Sequence, residues 1–309
     1  MKFDTICVQG SHNPAQNRNT PPVPVYLTTA FSFDNVQYAA DLFDLKADGD
    51  IYTRLSNPTT NTLEARLASI EGGVGALAVS SGQSASLIAV LNIAKAGDEV
   101  VASVNMYGGT INLLDTTLRK VGITTNFITT DKAEDFEAKI TDKTRCIFVE
   151  MLNNPSLKIA DIESIARVAH KHNIPLIVDN TIPSPYLCRP IEWGADIVVH
   201  SLTKYICGHG TSMGGVIIDS GKFDWAKSGK FPELTEPDES YHGIKYVESF
   251  GSMAYIVKAR AQLIRDLGTC ISPMNSFLIM QGLETLSLRM EKLSNTALKV
   301  AEFLENNPA

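Results

Sequence analysis

From about residue 60 onward, short apolar runs alternate with segments of helical spacing, and this alternation sets the expected fold. Leu63, Leu67 and Ile70 share one helical face within residues 61–70. Residues 76–79 read as a short buried strand, and an apolar helix follows the Ser80-Ser81-Gly82-Gln83 turn to about residue 94. Residues 99–103, 145–149, 175–178 and 196–199 give further strands. Helices are expected at about 109–121 and along the stripe Ile162, Ile165, Val168 and Ala169. Strands alternating with helices predict an α/β fold, a mostly parallel sheet with helices on both faces. Several strand runs end in a polar residue: Val79 before Ser80-Ser81, Val149 before Glu150, Val178 before Asp179, Val199 before His200-Ser201. Any one of them reads as a strand emerging into a polar loop. Ligands in open α/β sheets sit at the carboxyl ends of strands, so together they mark one edge as the expected site.

The flanks differ. Residues 1–60 have little helical periodicity, and Pro21, Pro22 and Pro24 favour extended backbone, so this stretch reads as an arm. Residues 61–250 read as the α/β domain. Residues 251–309 are helical, with helices at about 254–267, 275–282 and 284–304 and a stop signal at Asn306-Asn307-Pro308. They read as the opening of a C-terminal domain that the chain does not complete.

Composition narrows the partners. The chain has 309 residues, 44% of them apolar and 20% charged, with a net charge of −7. An acidic chain without a Lys/Arg run points away from nucleic acid and anionic membranes. No apolar run reaches spanning length, and Met1-Lys2-Phe3-Asp4 lacks a signal pattern, so the cytoplasm is the expected compartment. Five scattered cysteines without a C-x-x-C pair read as free thiols. No metal is expected: His170 and His172 do not share a helix face, and no H-E-x-x-H or paired-Cys motif occurs.

Four features carry chemistry. Lys204, in His200-Ser201-Leu202-Thr203-Lys204-Tyr205, lies just past a strand. A neutral lysine can attack a carbonyl, and partial burial would favour that form; taken alone, such a lysine is usually surface decoration. Asp179, in Val178-Asp179-Asn180-Thr181, suits a carboxylate that keeps a pyridine nitrogen protonated, although a cap or turn aspartate reads equally well. Ser80-Ser81-Gly82-Gln83-Ser84 opens a helix and could hold a phosphate or be a plain N-cap. It is neither a Walker loop nor G-x-G-x-x-G. Tyr107 could stack on a flat heteroaromatic ring or be an ordinary rim tyrosine. A carbonyl, a pyridine ring and a phosphate together describe pyridoxal 5′-phosphate (PLP), held by Lys204 as a Schiff base.

These residues resemble the Cys/Met-metabolism PLP enzymes of aspartate-aminotransferase-like fold (PLP fold type I). The block from Asp179 to Gly215 and the block Tyr52-Thr53-Arg54-Leu55-Ser56-Asn57-Pro58-Thr59 carry the likeness. The resemblance implies that Tyr52 and Arg54 reach the PLP phosphate of a neighbouring subunit, in a homodimer or homotetramer. It implies that Ser81, Gly82, Gln83, Ser201 and Thr203 surround the phosphate, that Tyr107 stacks on the ring and assists proton movement, and that Asn154 approaches the ring hydroxyl. Asp179 would face the ring nitrogen, and Thr181 would be a further cofactor-binding residue. Lys204, Tyr107 and Tyr52 would be the catalytic set. The stretches 237–243 and 208–212 are similar to the O-acetylhomoserine sulfhydrylase branch. Gly109 stands where the methionine γ-lyase branch usually has cysteine. The implied reaction is γ-replacement on O-acetylhomoserine by sulfide or a thiol, giving homocysteine or methionine and acetate. Methionine γ-lyase and cystathionine synthase or lyase activity are alternatives within the family. A non-catalytic PLP-binding or assembly subunit is the alternative from another class, because relatives grip the substrate carboxylate with an arginine in a C-terminal segment that has no counterpart here.

Overall fold

Runs such as Ile147-Phe148-Val149 and Ile197-Val198-Val199 are buried on both sides, and their β-branched side chains suit a pleated sheet covered twice. The computed structural model describes residues 1–130 and 132–308. Its centre is a seven-stranded sheet: β1 (Gly75–Val79), β2 (Glu99–Ser103), β3 (Thr124–Ile128), β4 (Thr144–Glu150), β5 (Leu176–Asp179), β6 (Ile197–Ser201) and β7 (Gly215–Asp219). The spatial order is β1-β7-β6-β5-β4-β2-β3. Strand β7 is antiparallel to both neighbours, and the other pairings are parallel.

Side chains alternate between two cores. Ala76, Ala78, Val178, Val198 and Ile218 face one; Leu77, Val79, Ile177, Val199 and Ile217 face the other. On the first face lie α1 (Pro58–Glu71) and α3 (Ile162–Lys171); on the second lies α2 (Gly82–Leu91). Each starts where its sequence supplies a cap. The side chains of Asn57, Ser81 and Asp161 accept backbone N–H groups of Thr59, Ser84 and Ser164. Helix α1 stops at Gly72, whose φ of 86° only glycine adopts freely.

The C-terminal helices are α4 (Pro273–Leu283) and α5 (Leu286–Glu305). Helix α4 packs on α1, with Thr60 and Ser276 hydroxyls 2.9 Å apart. Ile279, Met280, Leu283, Leu286 and Met290 lie in the same core as the sheet's first face. From residue 291 onward α5 is exposed, with Leu298 and Phe303 open, and Leu288 in its first turn is exposed as well.

The sheet, its mostly parallel pairing and the helices on both faces match the sequence reading. Four details correct it. Strands β3 and β7 were not expected. The N-terminal stretch contains helices Phe3–Gln9 and Val36–Phe43. Ala166 replaces Val168 in the buried stripe of α3. The helices expected at 109–121 and 254–267 each contain a π-helical turn, Leu113–Thr117 and Ala259–Ile264.

Candidate active site

Register brings the polar strand ends together. Glu150 pairs with Asp179, Asp179 with Val199, and Gly215 with both Ser201 and Val79. The carboxyl ends of β1, β4, β5 and β6 therefore form one edge. Gly82 opens α2 at that edge, pressed against β6: a Cβ there would lie 2.6 Å from Ser201 Cβ and 3.1 Å from its Oγ. Only glycine lets the helix start touch Ser201. As the first residues of a helix, Gly82 and Gln83 present amide N–H groups without intrahelical acceptors. These amides, the helix dipole and the Ser201 hydroxyl make an anion pocket.

The other expected residues divide. Thr181 Oγ1 donates to Asp179 Oδ1 at 2.5 Å and accepts the Ser201 N–H at 2.8 Å, which ties β5 to β6. The Thr181 N–H also donates to Asp179 at 3.0 Å. Burial pushes the Asp179 carboxyl up, offset by Thr181 and by the nearby His200. Ser81 spends its hydroxyl on capping Ser84, so it fixes the helix start. The Gln83 amide donates to Thr110 Oγ1 at 3.1 Å. Thr203 exchanges hydrogen bonds with Gly214, donating at 3.2 Å and accepting at 3.1 Å. Lys204 lies in a tight turn, its N–H donating to Ser201 O at 3.2 Å and its carbonyl accepting the Gly208 N–H at 2.8 Å. The partial burial expected for Lys204 is not seen: its side chain is exposed in the single chain, because the turn carries it off the strand end. Tyr107 is half exposed and Asn154 exposed, both at the β4 end around Glu150. Tyr52 and Arg54 are exposed and pair with each other, the guanidinium 5.4 Å from the ring centre. Among the described residues neither hydrogen-bonds to the strand-end cluster.

Two groups escaped the sequence reading. Glu150 Oε2 accepts the Tyr107 N–H at 2.6 Å, so it fixes the residue expected to stack. Its position at a strand end was visible, but nothing in sequence links it to Tyr107. Glu71, at the end of α1, pairs with His200 Nε2 at 2.8 Å directly beneath the site, both side chains fully buried. No local pattern announces that contact.

Burial, then the Asp179 charge, hold the Glu150 carboxyl up at about 7, against an ordinary 4.5. Between those values the folded chain keeps a proton that the unfolded chain has released. The associated stabilisation is complete below pH 4.5 and lost as pH rises through about 7. Glu150→Gln keeps an oxygen for Tyr107 and is expected to flatten the fall of the urea midpoint between about pH 5 and pH 8. Part of the slope will persist, because burial also holds Asp219 at about 7. A slope equal to that of the unsubstituted chain would refute the assignment.

The residues fit PLP. The anion pocket matches its phosphate. Asp179 is a half-buried carboxylate with no Lys, Arg or His ion-paired to it among the described residues, and a pyridinium N–H complements it. Lys204 supplies an amine at the same edge. Fold and residue set together define a PLP-dependent enzyme of fold type I.

Comparison with known proteins agrees. Residues 4–309 match the model of the Cys/Met metabolism PLP-dependent enzymes, and the chain belongs to that family. It is 52% identical to the O-acetyl-L-homoserine sulfhydrylase of Leptospira meyeri, covering 100% of this chain and 71% of that protein. It is 46% identical to the homocysteine/cysteine synthase of Saccharomyces cerevisiae, covering 99% and 70%. A putative O-acetylhomoserine (thiol)-lyase from Campylobacter jejuni, solved with N′-pyridoxyl-lysine-5′-monophosphate, superposes with a TM-score of 0.97 at 39% identity. That match covers 100% of this chain and 76% of the other.

Proposed function

We propose that this protein performs γ-replacement on O-acetylhomoserine, with sulfide or a small thiol as the incoming group and acetate as the leaving group. The observation that carries the reading is the strand-end edge: Lys204, the Thr181-braced Asp179 and the Gly82–Ser201 anion pocket, on a chain similar to sulfhydrylases throughout its length.

Each residue then has a role. Gly82 and Gln83 N–H groups and the Ser201 hydroxyl bind the phosphate; Thr203 joins them if its hydroxyl turns from Gly214. Ser81 fixes those amides. Asp179, oriented by Thr181, holds the proton on the ring nitrogen. Tyr107, held by Glu150, covers the ring, and Asn154 meets its hydroxyl. Tyr52 and Arg54, exposed and unengaged with this chain's own edge, reach the phosphate site of a second copy, so the active form is a homodimer or a tetramer of two dimers. Bound PLP supplies an aldehyde for the substrate amine and a cationic ring that draws electrons from the α carbon. Lys204 holds the cofactor at rest. With the cofactor in place, Lys204 would take the substrate's α proton and then move a β proton; acetate would leave the γ carbon, and sulfide or thiol would add there in its place. Tyr107 and Tyr52 assist those proton movements. Gly109, where the methionine γ-lyase branch usually has cysteine, counts against elimination; the Tyr107 ring occupies the space beside it, with Cε1 2.5 Å from where a Cβ at 109 would lie. The five free cysteines favour a reducing compartment such as the cytoplasm.

The test is absorption spectroscopy of the protein with PLP, followed by O-acetylhomoserine and then sulfide. A visible band that changes with the first and recovers with the second, with homocysteine and acetate formed, is the expected result. Ammonia and a keto acid as products would replace it with a lyase reading, and a band indifferent to substrate would leave a binding subunit.

A further inference from the structure

The turn that carries Lys204, residues 202–207, starts at the end of β6 and is closed by the Lys204 and Cys207 N–H groups donating to Ser201 O and Leu202 O. Its last carbonyls, at Tyr205 and Ile206, point to one side chain. Arg289 Nη1 donates to Tyr205 O at 2.7 Å and Nη2 to Ile206 O at 3.2 Å. Nη2 also donates to Gly282 O at 2.7 Å, and Nε to Thr285 Oγ1 at 3.1 Å. All four acceptors are neutral oxygens, and Arg289 has no carboxylate partner among the described residues. A planar fork of donors can bridge the end of α4, α5 itself and the lysine turn at once; an ammonium cannot.

The backbone is shaped around this contact. Gly208 adopts φ +73°, and a Cβ there would lie 2.2 Å from Arg289 Nη1. A Cβ on Gly282 would lie 1.9 Å from Cys207 O, so α4 touches the turn backbone to backbone. Leu202, Ile206 and Cys207 are buried in the same core as Ile279, Met280 and Leu283. The exposed Lys204 side chain therefore stands on a turn gripped from beneath.

We propose that Arg289 is a positioning residue for Lys204: from α5 it fixes the carbonyls of the lysine turn and so sets the direction from which the amine meets PLP. This inference rests on the role given to Lys204 above.

The test compares the unsubstituted chain with Arg289→Met, Arg289→Lys and Thr285→Val. The reading is the rate at which Lys204 captures added PLP, seen as the visible band and confirmed by borohydride reduction and mapping of the labelled peptide. In capture, the Lys204 amine condenses with the aldehyde, one C=N bond forms and one water leaves. Arg289→Met is expected to slow capture by about 10–10²-fold, the scale of a misplacement near 1 Å, and to shift the pH dependence of the band. Arg289→Lys should recover only part. Thr285→Val removes one acceptor without touching the turn, should shift capture the same way by a smaller factor, and decides the matter if Arg289→Met does not fold. A contact that merely staples α5 would lower the unfolding midpoint and leave capture rate and pH profile unchanged, which would overturn the proposal. No label on Lys204 in the unsubstituted chain would overturn the role of Lys204 itself, and this inference with it.

Discussion

Replacing Lys204 with alanine is expected to remove turnover of O-acetylhomoserine altogether. Two roles disappear together, the covalent hold on the cofactor and the proton transfers at the α and β carbons. Loss of general acid–base catalysis alone costs about 10²–10⁴-fold. The neighbouring groups do not replace it, since Thr203 is engaged with Gly214 and Asp179 is braced by Thr181. The substitution leaves the Gly82–Ser201 pocket and Asp179 untouched, so the variant should still bind PLP without a covalent bond. Homocysteine release measured with excess PLP, beside a PLP titration, separates loss of chemistry from loss of the site. Turnover within about tenfold of the unsubstituted chain would take Lys204 out of the mechanism.

Glu71→Ala is expected to give the largest loss of stability. Glu71 Oε2 meets His200 Nε2 at 2.8 Å with both side chains fully buried, and its other oxygen lies 3.4 Å from Asn180 Nδ2. Breaking a buried pair from one side costs about 3–5 kcal/mol, because the remaining group loses its partner without regaining water. Here the remainder is especially poorly served: His200 Nδ1 has no hydrogen-bond partner among the described residues, so both ring nitrogens would be bare. Urea unfolding should show the loss as a lower midpoint with little change in slope. Glu71→Leu with His200→Phe should recover most of it, since packed apolar groups often substitute for a buried pair at no cost. Cofactor affinity should fall in Glu71→Ala as well, because His200 precedes Ser201 and its proximity lowers the Asp179 pKa. A loss under about 1 kcal/mol would refute the account.

What was legible in the sequence follows from what each element needs. Strands β1, β2, β4, β5 and β6 announce themselves because strands covered on both faces are apolar runs. Strand β3 does not, since Thr124-Thr125-Asn126-Phe127 lies at the sheet edge and is only partly buried. Strand β7 hid behind Gly208, Gly210, Gly214 and Gly215, which read as turn residues; Val216-Ile217-Ile218 was the signal that could have found it. The strand-end clustering of Ser201, Asp179 and Gly82 was legible because open sheets place ligands there. The contacts of Glu150 with Tyr107, Glu71 with His200 and Arg289 with the lysine turn were not. Each joins segments far apart in sequence, and none belongs to a motif that spacing can reveal. Arg289 in particular sits on a helix whose periodicity shows only which face is apolar.

The antiparallel return of β7 also sets a clock on synthesis. Strand β1 is an edge strand whose sheet neighbour is β7, with Val79 paired to Gly215, and the bridge on its other side, Val79 to Cys270, comes from still later. An apolar strand at the N-terminal end of the domain therefore stays unpaired on the ribosome until residue 215 emerges. At ~5–20 residues per second that wait is roughly 7–27 s. During it an open, hydrophobic edge is a template for other nascent chains. Growth at lower temperature or slower initiation, which spaces nascent chains apart, is the lever on soluble yield that this strand order points to.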